Sequence, residues 1–532
     1  MMERLRDGRP GLSSIGGRRS VALRTAGPVA CALLAMFAGC TVGPDYSTPP
    51  TTTPEDFGRL NDQPQGPSRA VAGPADLAQW WSRLNDPELD AVIDRAIASN
   101  LDLKLATSRV REARAVRGFV ASAQYPTVDA TAGYTRSRES ENVGPNQLAP
   151  QNGDGQDLFQ VGFDAGWELD VFGGVRRAVE AADADVQAAE EGRRDVLVTL
   201  IAEVARSYVE VRTFQRRLDI ARRNVKAAQD SVDLSNARFL AGLTGELDVA
   251  QARALLQTRL SQIPPLEIGA AVFLHRLGVL LGAEPLALRA ELAAVTPIPA
   301  TPAEVPVGLP SELLRRRPDI RRAERQLAAA TARVGAATAD LYPRFALTGA
   351  FVLQSDQIGT LFDMNSRAWG FTPSMRWNLF DAGRVRSNIA VKDALTEQAL
   401  TVYEQTVLNS LEETENALVS FAQEQSRRES LTKAVEANTR AVDLANQLYS
   451  SGLKDFLNVL ASQQQLFESE DQLAQSDRAV TSSLIALYKA LGGGWEHEPA
   501  ADVPAEHKSD APGTAGGASS GGSPGSGANT QP

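Results

Sequence analysis

Four short segments of the chain alternate apolar and polar residues with a period of two: 128–135, 159–169, 344–354 and 369–379. In 159–169 the apolar side consists of Phe159, Val161, Phe163, Ala165, Trp167 and Leu169. In 369–379 it consists of Trp369, Phe371, Pro373, Met375, Trp377 and Leu379. Such alternation predicts β-strands with one apolar face, and about ten residues is the length of a tilted strand in a membrane barrel.

The apolar faces of these strands are expected to contact lipid. Aromatic residues recur near the strand ends, as in the girdles of membrane barrels, and each strand pair leads into a very long helical segment. A small soluble β-sandwich is the alternative. Four strands cannot close a barrel, and lipid does not tolerate open strand edges. Two copies would give eight strands around a filled interior and three would give twelve around a lumen, so a channel predicts at least a trimer.

Long helical segments follow each strand pair. Residues 175–238 lack proline and almost lack glycine, and 385–449 has the same character. At about 1.5 Å per residue the first would be a rod on the order of 95 Å long. Each rod has a predicted partner, 246–281 (interrupted at Pro264-Pro265) and 456–491. Charges are spread along all four segments, so we expect them to stand in water or pack as coiled coils and not to cross lipid.

The chain repeats itself with a long period. Tyr125-Pro126 corresponds to Tyr342-Pro343, and Trp167-Glu168-Leu169 corresponds to Trp377-Asn378-Leu379. Each copy is predicted to contain a helix, two strands and a long helical hairpin. The predicted organisation is a lipoprotein signal peptide at 1–39, an acylated extended segment at 40–85, repeat 1 at 86–282, a linker at 283–310, repeat 2 at 311–495 and a disordered tail at 496–532.

The N-terminus is interpreted as an export signal. Three arginines (Arg18, Arg19 and Arg24) precede an apolar stretch that is too short to span a bilayer. Phe37-Ala38-Gly39-Cys40 resembles a bacterial lipobox, which makes Cys40 the candidate lipidation site. An ordinary signal peptide with a coincidental cysteine is the alternative. The arginine pair leaves the Sec and twin-arginine export routes both open.

Composition argues against several other classes of protein. Of 532 residues, 43% are hydrophobic and 22% charged, which is too polar for a bundle of membrane helices. The net charge of −11 disfavours a nucleic-acid partner. The two cysteines, Cys31 and Cys40, both precede the body of the protein, and His275 is expected to be a packed helix residue. The sequence shows no Walker loop, no catalytic set and no metal or cofactor site, so an enzyme is not predicted.

Several motifs together carry a family resemblance: Cys40-Thr-Val-Gly-Pro-Asp-Tyr46, Trp80-Trp81, Asp86-Pro87, the stretch 308–320 (GLPSELLRRRPDI), the two Tyr-Pro pairs and Trp377-Asn-Leu-Phe-Asp-Ala-Gly383. The sequence resembles the TolC-like outer-membrane factors, specifically the NodT-type lipoproteins that serve resistance-nodulation-division (RND) pumps. The resemblance covers roughly 40–495, and 308–320 is its most specific part.

The resemblance implies an α+β membrane protein that forms a homotrimer. Its twelve-stranded outer-membrane β-barrel would take four strands from each chain and continue into a long periplasmic α-helical barrel. The trimer would be a passive exit duct for drugs and other toxic compounds, supplied by an inner-membrane RND pump through a periplasmic adaptor protein. A duct for type I protein secretion shares this architecture. A structural lipoprotein that bridges envelope layers is a second alternative, although it would not need alternating aromatic hairpins.

The resemblance also places a periplasmic gate at the two hairpin tips. The rods are expected to end at Gly242 and Gly452, because glycine suits such turns. Family members hold the aperture shut with an aspartate on the first tip, bonded to a tyrosine and an arginine on the second. Asp248 and Tyr449 match, and Lys454 stands for the arginine with only a point charge. Solvated tip charges without a gating role are the alternative. Two acidic ring positions of the family are Asn458 and Ala461 here, which makes a cation-selective ring doubtful.

Overall fold

The structure is a computed structural model that describes residues 41–51, 54–58, 68–71, 73, 77–138 and 155–497. The signal peptide and Cys40 lie outside the described residues, and so does the predicted tail from residue 498 onwards. The elements of the first half are β1 (Arg69–Val71), α1 (Pro87–Ser99), α2 (Leu101–Ser122), β2 (Thr127–Ser137), β3 (Gln156–Leu169), α3 (Gly174–Leu240), α4 (Glu246–Ser261) and α5 (Ile263–Leu280). Those of the second half are β4 (Glu304–Pro306), α6 (Pro310–Arg316), α7 (Pro318–Ala339), β5 (Arg344–Ser355), β6 (Arg367–Arg376), α8 (Arg384–Ser450) and α9 (Phe456–Ala490).

The four long strands form one antiparallel sheet in the order β2-β3-β5-β6. The two strands of each repeat are therefore neighbours, and β3 joins β5 at the seam between the repeats. All four strand predictions are confirmed, but the predicted end of the last strand is wrong. The strand stops at Arg376, and Trp377 lies just beyond it with its Nε1–H donating to the carbonyl of Leu341 at 3.0 Å.

The two rods are the longest elements and confirm the helix prediction. The helices α3 and α8 have 67 residues each and begin in the same way. A left-handed glycine, Gly173 or Gly383, precedes each helix. The carboxylate of Asp170 accepts from the first free N–H groups of α3, and Asp381 does the same for α8. An aspartate at a helix N-terminus satisfies donors that the helix itself leaves unpaired, so both strand-to-rod junctions are capped.

The main apolar core lies around the middle of the rods. The Trp80 ring stacks on Tyr488 of α9 with the ring centroids 4.9 Å apart, and both side chains are buried. The buried Tyr208 of α3 donates its hydroxyl to Asp86, the N-cap of α1, at 2.8 Å. Because these contacts join the start of repeat 1 to both long hairpins, the middle of the rods is the best anchored part.

Three predictions about the connecting segments need correction. The segment 40–85 is not extended throughout, since Trp80–Leu84 is a 3-10 helix. The linker 283–310 contains β4, which pairs in parallel with β1 (Ala70 opposite Val305), a contact between distant segments that no local pattern reveals. Residues 496 and 497, assigned to the predicted tail, belong to the short 3-10 helix Trp495–His497.

The helical segment Glu246–Leu280 combines α4 and α5. The helix breaks at Gln262, and Pro264 and Pro265 lie in the first turn of α5, where proline is tolerated. It is the one described helix that is long and apolar enough to cross a membrane by composition, and only 22% of its most apolar stretch is buried. His275 is exposed on this helix and not packed as predicted, because the buried side of α5 contacts α3 while His275 points away.

Candidate channel wall and gate

One face of the sheet is apolar across all four strands. The register places Phe163 opposite Phe351, and Phe351 opposite Trp369, on the same face. The face consists of Val128, Ala130, Ala132, Tyr134, Phe159, Val161, Phe163, Ala165, Trp167, Phe345, Leu347, Phe351, Leu353, Trp369, Phe371 and Met375. Trp369 is 80% exposed and Phe371 65% exposed in the single chain. An exposed apolar surface of this size is typical of a face that contacts lipid or another protein.

The opposite face of the sheet is small and polar. Its central positions are Thr127, Asp129, Thr131, Gly162, Asp164, Gly166, Thr348, Ala350, Val352, Gly370 and Thr372. The carboxylates of Asp129 and Asp164 lie on directly opposite residues of β2 and β3, and the Thr131 hydroxyl donates to Asp164 at 3.2 Å. Short side chains leave room in front of this face, and their hydroxyls and carboxylates favour water. The face is therefore suited to line an aqueous lumen.

The hairpin tips bring two of the predicted gate residues together. The hydroxyl of Tyr449, at the end of α8, donates to Oδ2 of Asp248 on α4 at 3.4 Å. The same oxygen accepts from the Thr244 hydroxyl. The ring of Tyr449 is buried against Phe456, with the centroids 5.2 Å apart. The contact therefore connects the two hairpins of one chain at their tips.

Lys454 does not join this contact within one chain. Among the described residues it forms no ion pair with Asp248, whose Oδ2 already accepts from Thr244 and Tyr449. Asn458 lies in the first turn of α9, where its side-chain amide donates to the carbonyl of Asp455 at 3.3 Å. The expected Asp248–Lys454 contact is thus missing from the single chain.

Arg238 is a tip residue that the sequence did not single out. Its guanidinium lies over the Tyr449 ring at 4.8 Å from the centroid and donates to the carbonyl of Ser450 at 3.0 Å. It therefore ties the end of α3 to the end of α8 beside the Asp248–Tyr449 contact. Only its place four residues before Gly242 could have indicated a tip role, and the sequence offers no sign of its partner.

Both rods end in left-handed glycines. Gly242 has φ +73° and Gly452 has φ +71°. The next residue in each case closes the turn. The Leu243 N–H donates to the backbone carbonyl of Arg238, and the Leu453 N–H donates to the backbone carbonyl of Leu448, both at 2.9 Å. This is the Schellman arrangement, which satisfies the last helical carbonyls. Around the turns the tips expose a set of leucines: Leu240, Leu243, Leu247, Leu453 and Leu457.

The described residues contain no group of three or more histidine, cysteine, aspartate or glutamate side chains placed to hold a metal ion. The candidate site consists of the two faces of the sheet and the contact between the hairpin tips.

Comparison with known proteins identifies the family. The sequence matches the family described as "Outer membrane efflux protein" over residues 92–282 and 309–493. It is 31% identical to the solvent efflux pump outer membrane protein SrpC of Pseudomonas putida over 471 residues, covering 87% of this chain and 97% of that protein. Nodulation protein T of Rhizobium leguminosarum bv. trifolii is 29% identical over 86% of this chain and 96% of its own length.

A solved structure agrees with these relatives. The outer-membrane channel OprN has a TM-score of 0.80 and 36% identity, covering 86% of this chain and all of that one. The resemblance to NodT-type outer-membrane factors is confirmed, and the location is the outer membrane with the helical part on the periplasmic side. With both repeats matched, the chain belongs to the outer membrane efflux protein family.

Proposed function

We propose that three copies of this chain form a passive exit duct for small toxic molecules, which an inner-membrane RND pump delivers through a periplasmic adaptor. The observation that carries the proposal is the four-stranded sheet, with one apolar face, one small polar face and two unpaired edges. The duct itself would supply a wall, a gate and, through acylated Cys40, an anchor. It would catalyse no reaction.

The edges of the sheet support closure by neighbouring copies. Within the described chain β2 and β6 each pair with one strand only. An unpaired strand edge in hydrocarbon costs several kcal/mol for each unsatisfied group, so β2 of one copy would pair with β6 of the next. Three copies of four strands make a barrel of twelve, wide enough to leave a lumen lined by the polar face.

The helices α5 and α8 expose matching apolar stripes, which also support a trimer. On α5 the exposed residues Ile268, Val272 and Val279 lie four and then seven residues apart, and on α8 Val391, Leu395 and Val402 have the same spacing. Such spacing puts each set on one side of its helix, as in the seam of a coiled coil. Packing between copies would cover both stripes and accounts for the apolar composition of α5 without a membrane crossing.

The exposed leucines of the tips support an adaptor partner. Leu243 and Leu453 follow the two turning glycines and are largely exposed in the single chain. Apolar side chains at the end of a periplasmic rod are suited to pack against apolar residues of another protein. Threefold repetition would present six such tips in a ring.

The small-molecule role is preferred over type I protein secretion because SrpC is named for solvent efflux. A structural tether is disfavoured, since it would not need a polar face opposite the apolar one.

Reconstitution tests the proposed function. The full chain, expressed with its signal in a Gram-negative host and extracted in detergent, is expected to run as a trimer by light scattering and to conduct ions in planar bilayers. The polar face supplies the aqueous path and the tip contact keeps the conductance low. A water-soluble monomer that needs no detergent once the anchor is removed would contradict the proposal.

The gate prediction concerns Asp248 and Tyr449. Asp248→Ala and Tyr449→Phe are each expected to raise single-channel conductance several-fold, because loss of the hydrogen bond frees the tips to separate. Asp455→Ala is the matched control, since this tip carboxylate makes no side-chain cap contact at the start of α9.

Lys454→Ala shows where the lysine acts. A rise in conductance would assign Lys454 to a contact with Asp248 of a neighbouring copy, because no such pair exists within one chain. Low conductance in both the Asp248→Ala and Tyr449→Phe channels would rule out the gate.

A further inference from the structure

The residues that follow the candidate lipidation site lie on the surface formed by the start of α3 and the end of α7. The Val42 N–H donates to the Phe172 carbonyl at 3.2 Å. Arg177 of α3, only 4% exposed, donates its Nε–H to the Val42 carbonyl at 3.3 Å and pairs with the Asp45 carboxylate. One buried guanidinium thus holds both a backbone and a side-chain group of this segment.

Two glycines allow the segment to cross α7 at backbone distance. A Cβ on Gly43, which has φ +90°, would lie 2.4 Å from the Cα of Gly335. A Cβ on Gly335 would lie 2.9 Å from the Cδ of Arg177. Glycine is unfavourable inside a helix, and Gly335 lies well within α7. The crossing is therefore a physical reason for glycine at this position.

Tyr46 fixes the far end of the crossing. Its hydroxyl donates to Glu324 of α7 at 3.0 Å, and its ring packs against buried alanines of α3 and α7. Burial and the neighbouring Glu324 carboxylate raise the pKa of Tyr46 to about 12. The hydroxyl therefore keeps its proton over the physiological pH range and remains a donor to Glu324.

We propose that residues 41–46 form a lock, meaning a fixed contact segment that Arg177 holds against α3 of repeat 1 and α7 of repeat 2. The lock joins the two repeats and positions the membrane anchor. Thr41 contacts Gly173, four residues after β3 ends at Leu169. Since Cys40 is the covalent neighbour of Thr41, its lipid would enter the bilayer at the level where the sheet ends. The part about the anchor rests on the proposed acylation of Cys40, whereas the lock does not. A flexible tether would leave the height of the anchor undefined.

Hydrogen exchange of the detergent-solubilised trimer tests the lock. The peptide from Thr41 to Tyr46 is expected to be protected in the unaltered protein. Arg177→Ala is expected to speed its exchange about tenfold or more, since local opening governs exchange at such segments. Asp45→Ala changes only the segment and keeps the proposal testable if Arg177→Ala impairs folding. Because the Asp45 side chain is 86% exposed, its effect is expected to be in the same direction but smaller. Gly335→Ala is expected to act in the same direction by displacing Arg177.

Two control variants are matched to these changes. Arg206→Ala removes an exposed arginine from α3, and Gly192→Ala adds a methyl group that meets only ordinary contacts, the nearest at 3.5 Å. Neither is expected to alter exchange in 41–46. Fast exchange of this peptide in the unaltered protein, or exchange that none of the three test variants changes, would overturn the lock.

Cys40→Ser separates the lock from the anchor. Protection of 41–46 is expected to persist without a lipid, and its loss would overturn the proposal because the anchor would then be holding the segment. The mass of the N-terminal peptide reports acylation independently. An unmodified Cys40 would contradict the anchor and leave the lock intact.

Discussion

Replacing Gly162 with alanine is expected to abolish or severely reduce assembly of the barrel. A Cβ at this position would lie 2.4 Å from the carbonyl oxygen of Phe351 and 2.7 Å from the Cα of Val352. Both atoms belong to the backbone of β5, so no side-chain rotation can relieve the clash. Overpacking against side chains costs about 1–3 kcal/mol, and a backbone that cannot move aside is expected to cost more. The strands β3 and β5 would have to separate at the seam between the repeats.

The amount of trimer in outer-membrane fractions and its thermal midpoint measure this effect. Gly370→Ala is the matched control, because a Cβ on this glycine of β6 meets nothing within 4 Å. It is expected to assemble in normal amounts. A Gly162→Ala trimer of normal yield and midpoint would show that the two repeats do not depend on this close approach.

Replacing Arg317 with alanine is expected to destabilise the second rod and its neighbours by about 3 kcal/mol, the lower end of the cost of breaking a buried ion pair, because Asp319 is mostly buried whereas Glu413 is exposed. Arg317 is 7% exposed and donates to Asp319 at 2.7 Å, to Glu413 of α8 at 2.8 Å and to the carbonyl of Ala490, the last residue of α9, at 2.8 Å. One side chain thus connects three helices. Denaturant unfolding of the detergent-solubilised trimer measures the loss.

The neighbouring Arg315 provides the control. Its side chain is exposed, so Arg315→Ala is expected to change the free energy of unfolding by no more than about 0.5 kcal/mol. Equal stability of the two variants would show that the buried contacts of Arg317 contribute nothing beyond a surface charge.

The pH dependence provides a second measure of the Arg317 contacts. Burial alone would raise the pKa of Asp319, but the Arg317 guanidinium and the Ile320 N–H lower it below its usual value. A carboxylate with a lowered pKa stabilises the fold at neutral pH, and this contribution is lost as pH falls through that pKa. The unaltered trimer should therefore lose more stability on acidification than the Arg317→Ala trimer.

These two predictions concern different parts of the chain. Gly162 lies where the sheet joins the two repeats, whereas the partners of Arg317 all belong to repeat 2.

Local patterns in the chain are enough to predict the helices and strands of this protein. The alternation in 159–169 predicts β3, and the proline-free stretch 385–449 predicts the helix found at Arg384–Ser450. Both patterns follow from the geometry of a residue and its near neighbours, which is why they can be read locally. Gly242 and Gly452 were found for the same reason, because a turn at a helix end needs a particular backbone conformation.

Contacts between distant residues become known only from the packed fold. Three contacts join segments that are far apart along the chain: β1 pairs with β4, Arg177 pairs with Asp45, and Arg238 lies over the Tyr449 ring. The sequence also could not show that Lys454 makes no contact with Asp248 within one chain. Periodicity records interactions within an element, whereas the partner of a charge or a strand edge depends on how complete elements pack together.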